Sequence, residues 1–277
     1  MNIDDQKAKA MAFRAMHRSG KILVLPNAWD VASARVFEEA GYGAMATTSA
    51  GVAFSLGYPD GQKLSRVEML ARVGRIARAV KVPLTADVES GYGPGPEDAA
   101  RTAREVIEAG AVGMNLEDVS EDPSKPLVEL PLQLEKIRAV REAALKTGVL
   151  LVLNARTDVY LAEVGAAESR YDETLRRVVA FRDAGADCVF VPGLRDVETI
   201  GRLVRDVKCP INILVGPGWP MIAELECRGV ARVTVGSAVM RATLGLVQRI
   251  AVELRTSGTY GALEGGIPYA DVNRMLS

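Results

Sequence analysis

Four times along this chain a glycine closes a helical stretch and an apolar run follows at once. The four are Gly41-Tyr-Gly-Ala-Met-Ala-Thr-Thr48, Gly110-Ala-Val-Gly-Met-Asn-Leu-Glu117, Gly185-Ala-Asp-Cys-Val-Phe-Val-Pro192 and Gly229-Val-Ala-Arg-Val-Thr-Val-Gly236. A second type of lead-in, Val80-Lys-Val-Pro-Leu-Thr-Ala-Asp87, is echoed by Val207-Lys-Cys-Pro-Ile-Asn-Ile-Leu214. Repetition of this kind marks a supersecondary unit used over and over. Strand-like runs fall at Ile22–Ala28, Ala44–Ser49, Leu84–Glu89, Gly113–Asp118, Leu150–Thr157, Cys188–Pro192, Ile211–Val215 and Arg232–Gly236, with helical periodicity between them. In Glu97–Ala109, for example, Ala99, Ala103, Val106 and Ile107 share one helix face. Eight strands alternating with helices predict an α/β fold, a (β/α)8 TIM barrel, with an extra N-terminal helix. An open doubly wound sheet is the alternative, and it would need a Gly-x-Gly-x-x-Gly turn after the first strand, which this chain lacks.

The 277 residues, 48% hydrophobic and 25% charged, suit a single barrel domain over 1–277. The tail beyond the eighth strand, about 238–277, reads as a helical segment for oligomerisation. A net charge of −1 without a basic block gives no footprint for nucleic acid or an anionic membrane, which leaves a small molecule as the expected partner. The start of the chain has no signal-peptide pattern and no apolar run is long enough to span a bilayer. Three dispersed cysteines, Cys188, Cys209 and Cys227, argue against a disulfide framework or a zinc site and fit the cytoplasm. His17, the single histidine, reads as a structural surface residue, so acid–base work falls to other groups.

On a barrel, catalytic groups gather where strands exit. There the chain places Asp87 and Glu89 after the third strand, Glu117 and Asp118 after the fourth, and Arg156 and Asp158 after the fifth. Strand alternation puts Asp87 and Glu89 on one face, where two unpaired negative charges are costly and a hard divalent cation is the simplest partner. Mg²⁺ needs only one or two direct carboxylates, so Asp87 is the expected ligand, with Glu89, Glu117 and Asp60 holding metal-bound water; Mn²⁺ accepts the same oxygens. Arg156 offers a fork for a carboxylate or phosphoryl oxygen, or else a buried salt bridge to Asp158 or Glu117. The small residues Thr47-Thr48-Ser49-Ala50-Gly51 let backbone N–H groups and hydroxyls approach an oxyanion. No lysine projects from a strand end to form a Schiff base.

At these positions the chain resembles the isocitrate lyase/phosphoenolpyruvate mutase superfamily over nearly its whole length. The resemblance rests on Pro26-Asn27-Ala28-Trp29-Asp30, Thr47–Gly51, Leu56-Gly57-Tyr58-Pro59-Asp60, Asp87-Val-Glu89-Ser-Gly-Tyr-Gly93, Leu116-Glu117-Asp118 and Asn154-Ala155-Arg156-Thr157-Asp158. It implies a Mg²⁺-dependent barrel acting on 2-oxo or 2-hydroxy acids through an enolpyruvate-like anion, with C-terminal helices exchanged between subunits of a homotetramer or homodimer. It also implies that Asp87 ligates the metal while Asp60, Glu89 and Glu117 hold its waters. Thr48, Ser49 and Ala50 would hold the oxyanion and carboxylate, and Arg156 and Asn212 the distal anionic group, with Arg156 and Glu117 at the chemistry. The isocitrate and 2-methylisocitrate lyases carry a Lys-Lys/Arg-Cys-Gly loop after the fourth strand. Here that stretch reads Val119-Ser-Glu-Asp-Pro-Ser-Lys-Pro-Leu-Val-Glu-Leu130, without cysteine. The expected activity is therefore carbon–carbon bond cleavage in a small dicarboxylic acid, by decarboxylation or retro-aldol/Claisen cleavage, without a cysteine acid. A phosphoenolpyruvate or carboxyphosphonoenolpyruvate phosphonomutase, favoured by Gly216-Pro-Gly218 and Gly236-Ser237, and a non-catalytic 2-oxo acid-binding protein are the alternatives.

Overall fold

The computed structural model describes residues 2–120, 122 and 124–277. All neighbouring strands in its sheet are parallel, and the first predicted strand explains how the sheet closes. Pro26 carries no N–H, so it cannot donate to a ladder. The run splits there into Leu23–Leu25, which pairs with Arg232–Thr234, and Asn27–Ala28, which pairs with Met45–Thr47. The nine strand segments thus run in an order whose two ends are halves of one strand, giving an eight-stranded barrel. The remaining strands are Leu84–Asp87, Gly113–Glu117, Val152–Arg156, Cys188–Phe190 and Ile211–Leu214, each inside its expected run. Asn27 fastens the closure: its Nδ2 donates to the Thr47 carbonyl (2.9 Å), and its Oδ1 accepts from the N–H groups of Val235 (3.0 Å) and Gly236 (2.9 Å).

Helices cover the outside of the barrel and bury the expected stripes. Over Pro96–Glu108, Ala99, Thr102, Ala103, Val106 and Ile107 are buried, as the 3.6-residue period requires. The N-terminal helix, Ile3–Met16, underlies the barrel floor. Gly113 opens the fourth strand because nothing larger fits: a Cβ there would lie 2.8 Å from Thr85 Oγ1 and 2.9 Å from the Phe13 ring. His17, which caps this helix, is not a surface residue as expected but is only 6% exposed. Its Nδ1–H donates to the Phe13 carbonyl (2.8 Å), and the ring meets Phe13 edge-on at 4.8 Å.

Burial, and then the charge of Arg232, push the His17 pKa down from 6.5 to about 4, so the folded protein keeps the ring neutral. A depressed histidine contributes stability above its unfolded pKa, and loses it as pH falls from about 6.5 toward 4. The loss is on the order of 3 kcal/mol. Urea unfolding at pH 7.5 and pH 4.2 is therefore expected to show a smaller acid loss in His17→Gln than in the native chain. Equal losses in the two proteins would rule this histidine out as a source of acid lability.

Beyond the eighth strand, a helix at Ala238–Thr256 buries only Met240 and exposes Leu244, Leu246, Val247, Val252 and Leu254. The last helix, Tyr269–Leu276, returns to the helix Val31–Glu39 of the same chain. Arg35 Nε donates to the Met275 carbonyl there (2.7 Å), and Arg274 pairs with Glu39 (2.9 Å). Among the described residues no helix is long and apolar enough to cross a membrane.

Candidate active site

Asp87 ends the third strand, 8% exposed, and its neighbours fix it from both sides. Its Oδ2 accepts from the Ser49 N–H (3.0 Å) and hydroxyl (2.8 Å), and its Oδ1 accepts from Asn115 Nδ2 (3.1 Å). Asn115 is held in turn by Asn154 (2.7 Å), and the Asp87 N–H donates to Thr47 Oγ1 (2.8 Å). Ser49 can reach Asp87 because Thr48 starts a short helix, Ser49–Ser55, by accepting from the Gly51 N–H (3.3 Å).

Glu89 arrives by a different route from the one strand alternation predicts. The strand stops at Asp87, and Glu89 takes a left-handed φ of +52°. Gln62 and Tyr92, both at +57°, share that conformation, which is unfavourable for residues with a side chain. Gln62 ties them together. Its N–H donates to Glu89 Oε2 in a short contact, its Nε2 donates to Ser90 Oγ (2.7 Å), and its Oε1 accepts from the Tyr92 N–H (2.7 Å). The sequence reading missed Gln62, whose only local signal is its place just after the Asp60-Gly61 turn.

Arg156 makes both of the salt bridges considered for it. Its Nη1 meets Glu117 at 2.8 Å, while Nε and Nη2 grip Asp158 at 2.5 and 2.7 Å. The guanidinium also lies over the Phe190 ring, 5.7 Å from its centroid. A guanidinium has five N–H donors, so two remain for a ligand. Asp118 corrects the expected cluster. As the next residue along the strand it faces outward, away from Glu117, and is spent on Thr157 Oγ1 (2.7 Å), the Asp158 N–H (3.0 Å) and Arg177 (3.1 Å).

Asp87 and Arg156 open on a cavity of about 170 Å³, whose wall also carries Thr48, Ser49, Ala50 and Asp60; Glu89 and Glu117, expected there, are not among the residues lining it. Arg241, from the helix after the eighth strand, also lines it and was not anticipated. Asn212 does not reach the wall: it is fully buried and shares hydrogen bonds with Thr234 (3.3 Å), which does. A larger void of about 330 Å³ lies beside the isolated Val119–Leu127 bridge, but none of the clustered acids lines it. The chemistry is therefore assigned to the smaller cavity.

Negative charge outweighs positive in this cluster. Burial, then the Asp87 and Asp60 carboxylates, push the Glu89 pKa up to about 8. Burial holds Glu117 well above the usual carboxylate range, although Arg156 opposes it. Partial burial and then Asp87 raise Asp60 as well, although Asp60 stands at the exposed rim. Arg156 loses charge stability to burial, but Glu117 and Asp158 more than offset this and keep it protonated. An acid-rich, all-oxygen site of this kind fits a hard divalent cation. Among the described residues no three acids, histidines or cysteines converge closely enough to form a full protein cage. One direct carboxylate with water making up the rest is the coordination style of Mg²⁺.

The phosphoenolpyruvate phosphomutase family model matches residues 13–255. The chain is 30% identical to 2-methylisocitrate lyase of Bacillus subtilis over 212 residues, covering 74% of this chain and 67% of that protein. A Burkholderia cenocepacia crystal structure superposes with a TM-score of 0.92 at 39% identity, over 98% of this chain and 96% of that one. Oxaloacetate acetylhydrolase bound to 3,3-difluorooxalacetate superposes at 0.86 and 27% identity, over 97% and 93%. With a family match across most of the barrel and the same fold in these relatives, the chain belongs to the isocitrate lyase/phosphoenolpyruvate mutase superfamily of enzymes.

Proposed function

We propose that this chain is a Mg²⁺-dependent lyase that cleaves a carbon–carbon bond in a small 2-oxo or 2-hydroxy dicarboxylic acid through an enolpyruvate-like anion. One observation carries the reading: a cavity of about 170 Å³ with an immobilised carboxylate, Asp87, at one part of its wall and two arginines, Arg156 and Arg241, at others. That volume lies below the roughly 300–1,000 Å³ of drug-sized sites and suits a short-chain acid. A cation bound at Asp87 would polarise the carboxylate and keto oxygens of the acid and stabilise the charge left by bond cleavage. The chain's own residues do the positioning. Ser49 and Asn115 keep Asp87 in one rotamer, Asp60 in the cavity wall and Glu89 and Glu117 near it would accept hydrogen bonds from water on a bound cation, and the free donors of Arg156 and Arg241 hold carboxylate oxygens. Ala50, in the first turn of its helix, has an N–H with no partner within that helix.

The test is pyruvate release from oxaloacetate and from 2-methylisocitrate analogues with Mg²⁺, and its loss with chelator. No turnover of any of these acids would overturn the proposal. Calorimetric binding without product would favour the non-catalytic reading. Phosphorus NMR of phosphonopyruvate mixtures tests the mutase reading. That reading is weakened at the eighth strand exit, where Asn27 already occupies the Gly236 N–H.

The proposal includes a cytoplasmic homodimer or homotetramer. Leu244, Val247 and Leu254 follow helical spacing on an exposed face of Ala238–Thr256, which a second copy of the chain would cover. Sedimentation equilibrium that finds only monomer would remove this part.

A further inference from the structure

Among the described residues two arginines are buried, and one of them, Arg232, lacks the partners that Arg177 and the half-buried Arg156 and Arg141 have. Arg156 is bound by Glu117 and Asp158, Arg177 by Asp118 and Glu173, and Arg141 by Asp187 and backbone carbonyls. Arg232 opens the eighth strand, 0% exposed, and its Nε, Nη1 and Nη2 have no hydrogen-bond partner among the described residues. A buried cation without a counter-ion costs stability, and residues that cost stability without a structural return are candidates for function.

Its position says what it could act on. Arg232 pairs in register with Asn212, which is hydrogen-bonded to Thr234, and Thr234 lines the cavity two residues further along the same strand. Successive side chains alternate, so Arg232 and Thr234 share the barrel's inner face. Below lie His17 and Cys188, both within range of its charge, and above lies Asp87, whose carboxylate acts on it in turn. Between the Phe13–His17 floor and Asp87, Thr85 Oγ1, Asn154 Oδ1 and His17 Nε2 are further buried atoms without protein partners. The interior is thus a polar column under the active site, with a fixed positive charge near its base.

We infer that Arg232 is a positioning residue that holds anionic ligand in the cavity above it through its field rather than by contact. In the poorly screened interior a buried charge acts beyond hydrogen-bond reach. Arg232 favours the anionic acid and its enolate, and slightly disfavours the cation at Asp87. This inference rests on the proposed reading of the cavity as an anion-binding, cation-dependent active site.

Calorimetry with Mg²⁺ alone and with oxalate in the presence of Mg²⁺, alongside thermal melts, tests it on the full-length chain and on the variants Arg232→Met and Arg232→Lys. Arg232→Met is expected to fold with an unchanged or higher Tm, to bind Mg²⁺ as tightly or more tightly, and to bind oxalate at least about tenfold more weakly. Arg232→Lys should recover most of the oxalate affinity. Unchanged oxalate affinity in Arg232→Met overturns the inference alone. A lower Tm, failure to fold, or equal weakening of both ligands makes Arg232 a structural strut and also overturns it. A native chain that binds neither Mg²⁺ nor oxalate overturns the reading of the site and this inference with it.

Discussion

Asp87→Asn is expected to yield a folded protein with no measurable Mg²⁺ affinity and with kcat/KM reduced by roughly 10³-fold or more, about 4 kcal/mol of transition-state stabilisation. The substitution removes the charge and one hydrogen bond. An amide oxygen in the place of Oδ2 can still accept from the Ser49 N–H and hydroxyl, while the amide nitrogen in the place of Oδ1 meets Asn115 Nδ2 donor to donor and loses that bond. What disappears is the single anionic oxygen donor expected to touch the cation, and no three acids among the described residues converge to replace it. Stability should change little, because the lost Asn115 bond is set against relief of Glu89 and Asp60, both raised in part by the Asp87 charge. Metal calorimetry, steady-state kinetics and a thermal melt on one preparation separate these effects. Activity within tenfold of native, with Mg²⁺ still required, would show that the cation sits elsewhere.

Much of this site was legible because a barrel strand converts position into direction. Once Asp87, Glu117 and Arg156 were placed at strand ends, the fold brought them together, and the apolar residues before each one made the placement secure. The sequence failed where backbone conformation departs from the strand. Glu89 was placed by alternation, but the strand stops at Asp87 and a left-handed residue sets its direction, close enough to feel the Asp87 and Asp60 carboxylates yet outside the cavity lining. Asp118 looked like a partner of Glu117, yet adjacent strand residues point apart, and Asp118 serves the helix carrying Arg177. Gln62 showed only its place after the Asp60-Gly61 turn and Arg241 showed no signal, because one acts through a loop crossing and the other from a helix beyond the barrel. His17 was misplaced on the surface because nothing in its neighbourhood shows that the first helix closes the barrel floor.

Arg156→Met should abolish activity and also destabilise the fold, and a mutant cycle separates the two causes. Glu117 and Asp158 are 8% and 4% exposed, and Arg156 is the cation bonded to both. Removing it strands two carboxylates in the interior, a loss on the order of 3–5 kcal/mol. At roughly 2–4 °C per kcal/mol for a chain of this size, Tm should fall by about 6–20 °C. Methionine keeps much of the side-chain volume over Phe190, so lost packing contributes little. If uncompensated charge is the cause, adding Glu117→Gln and Asp158→Asn should restore most of the Tm, because each amide needs no cation. Activity should stay lost, since the donors left free by those bridges are the ones assigned to the substrate carboxylate. A triple variant as unstable as Arg156→Met alone would mean that the guanidinium holds the strand end by shape rather than charge. A triple variant that regains catalysis along with stability would remove Arg156 from the substrate site altogether.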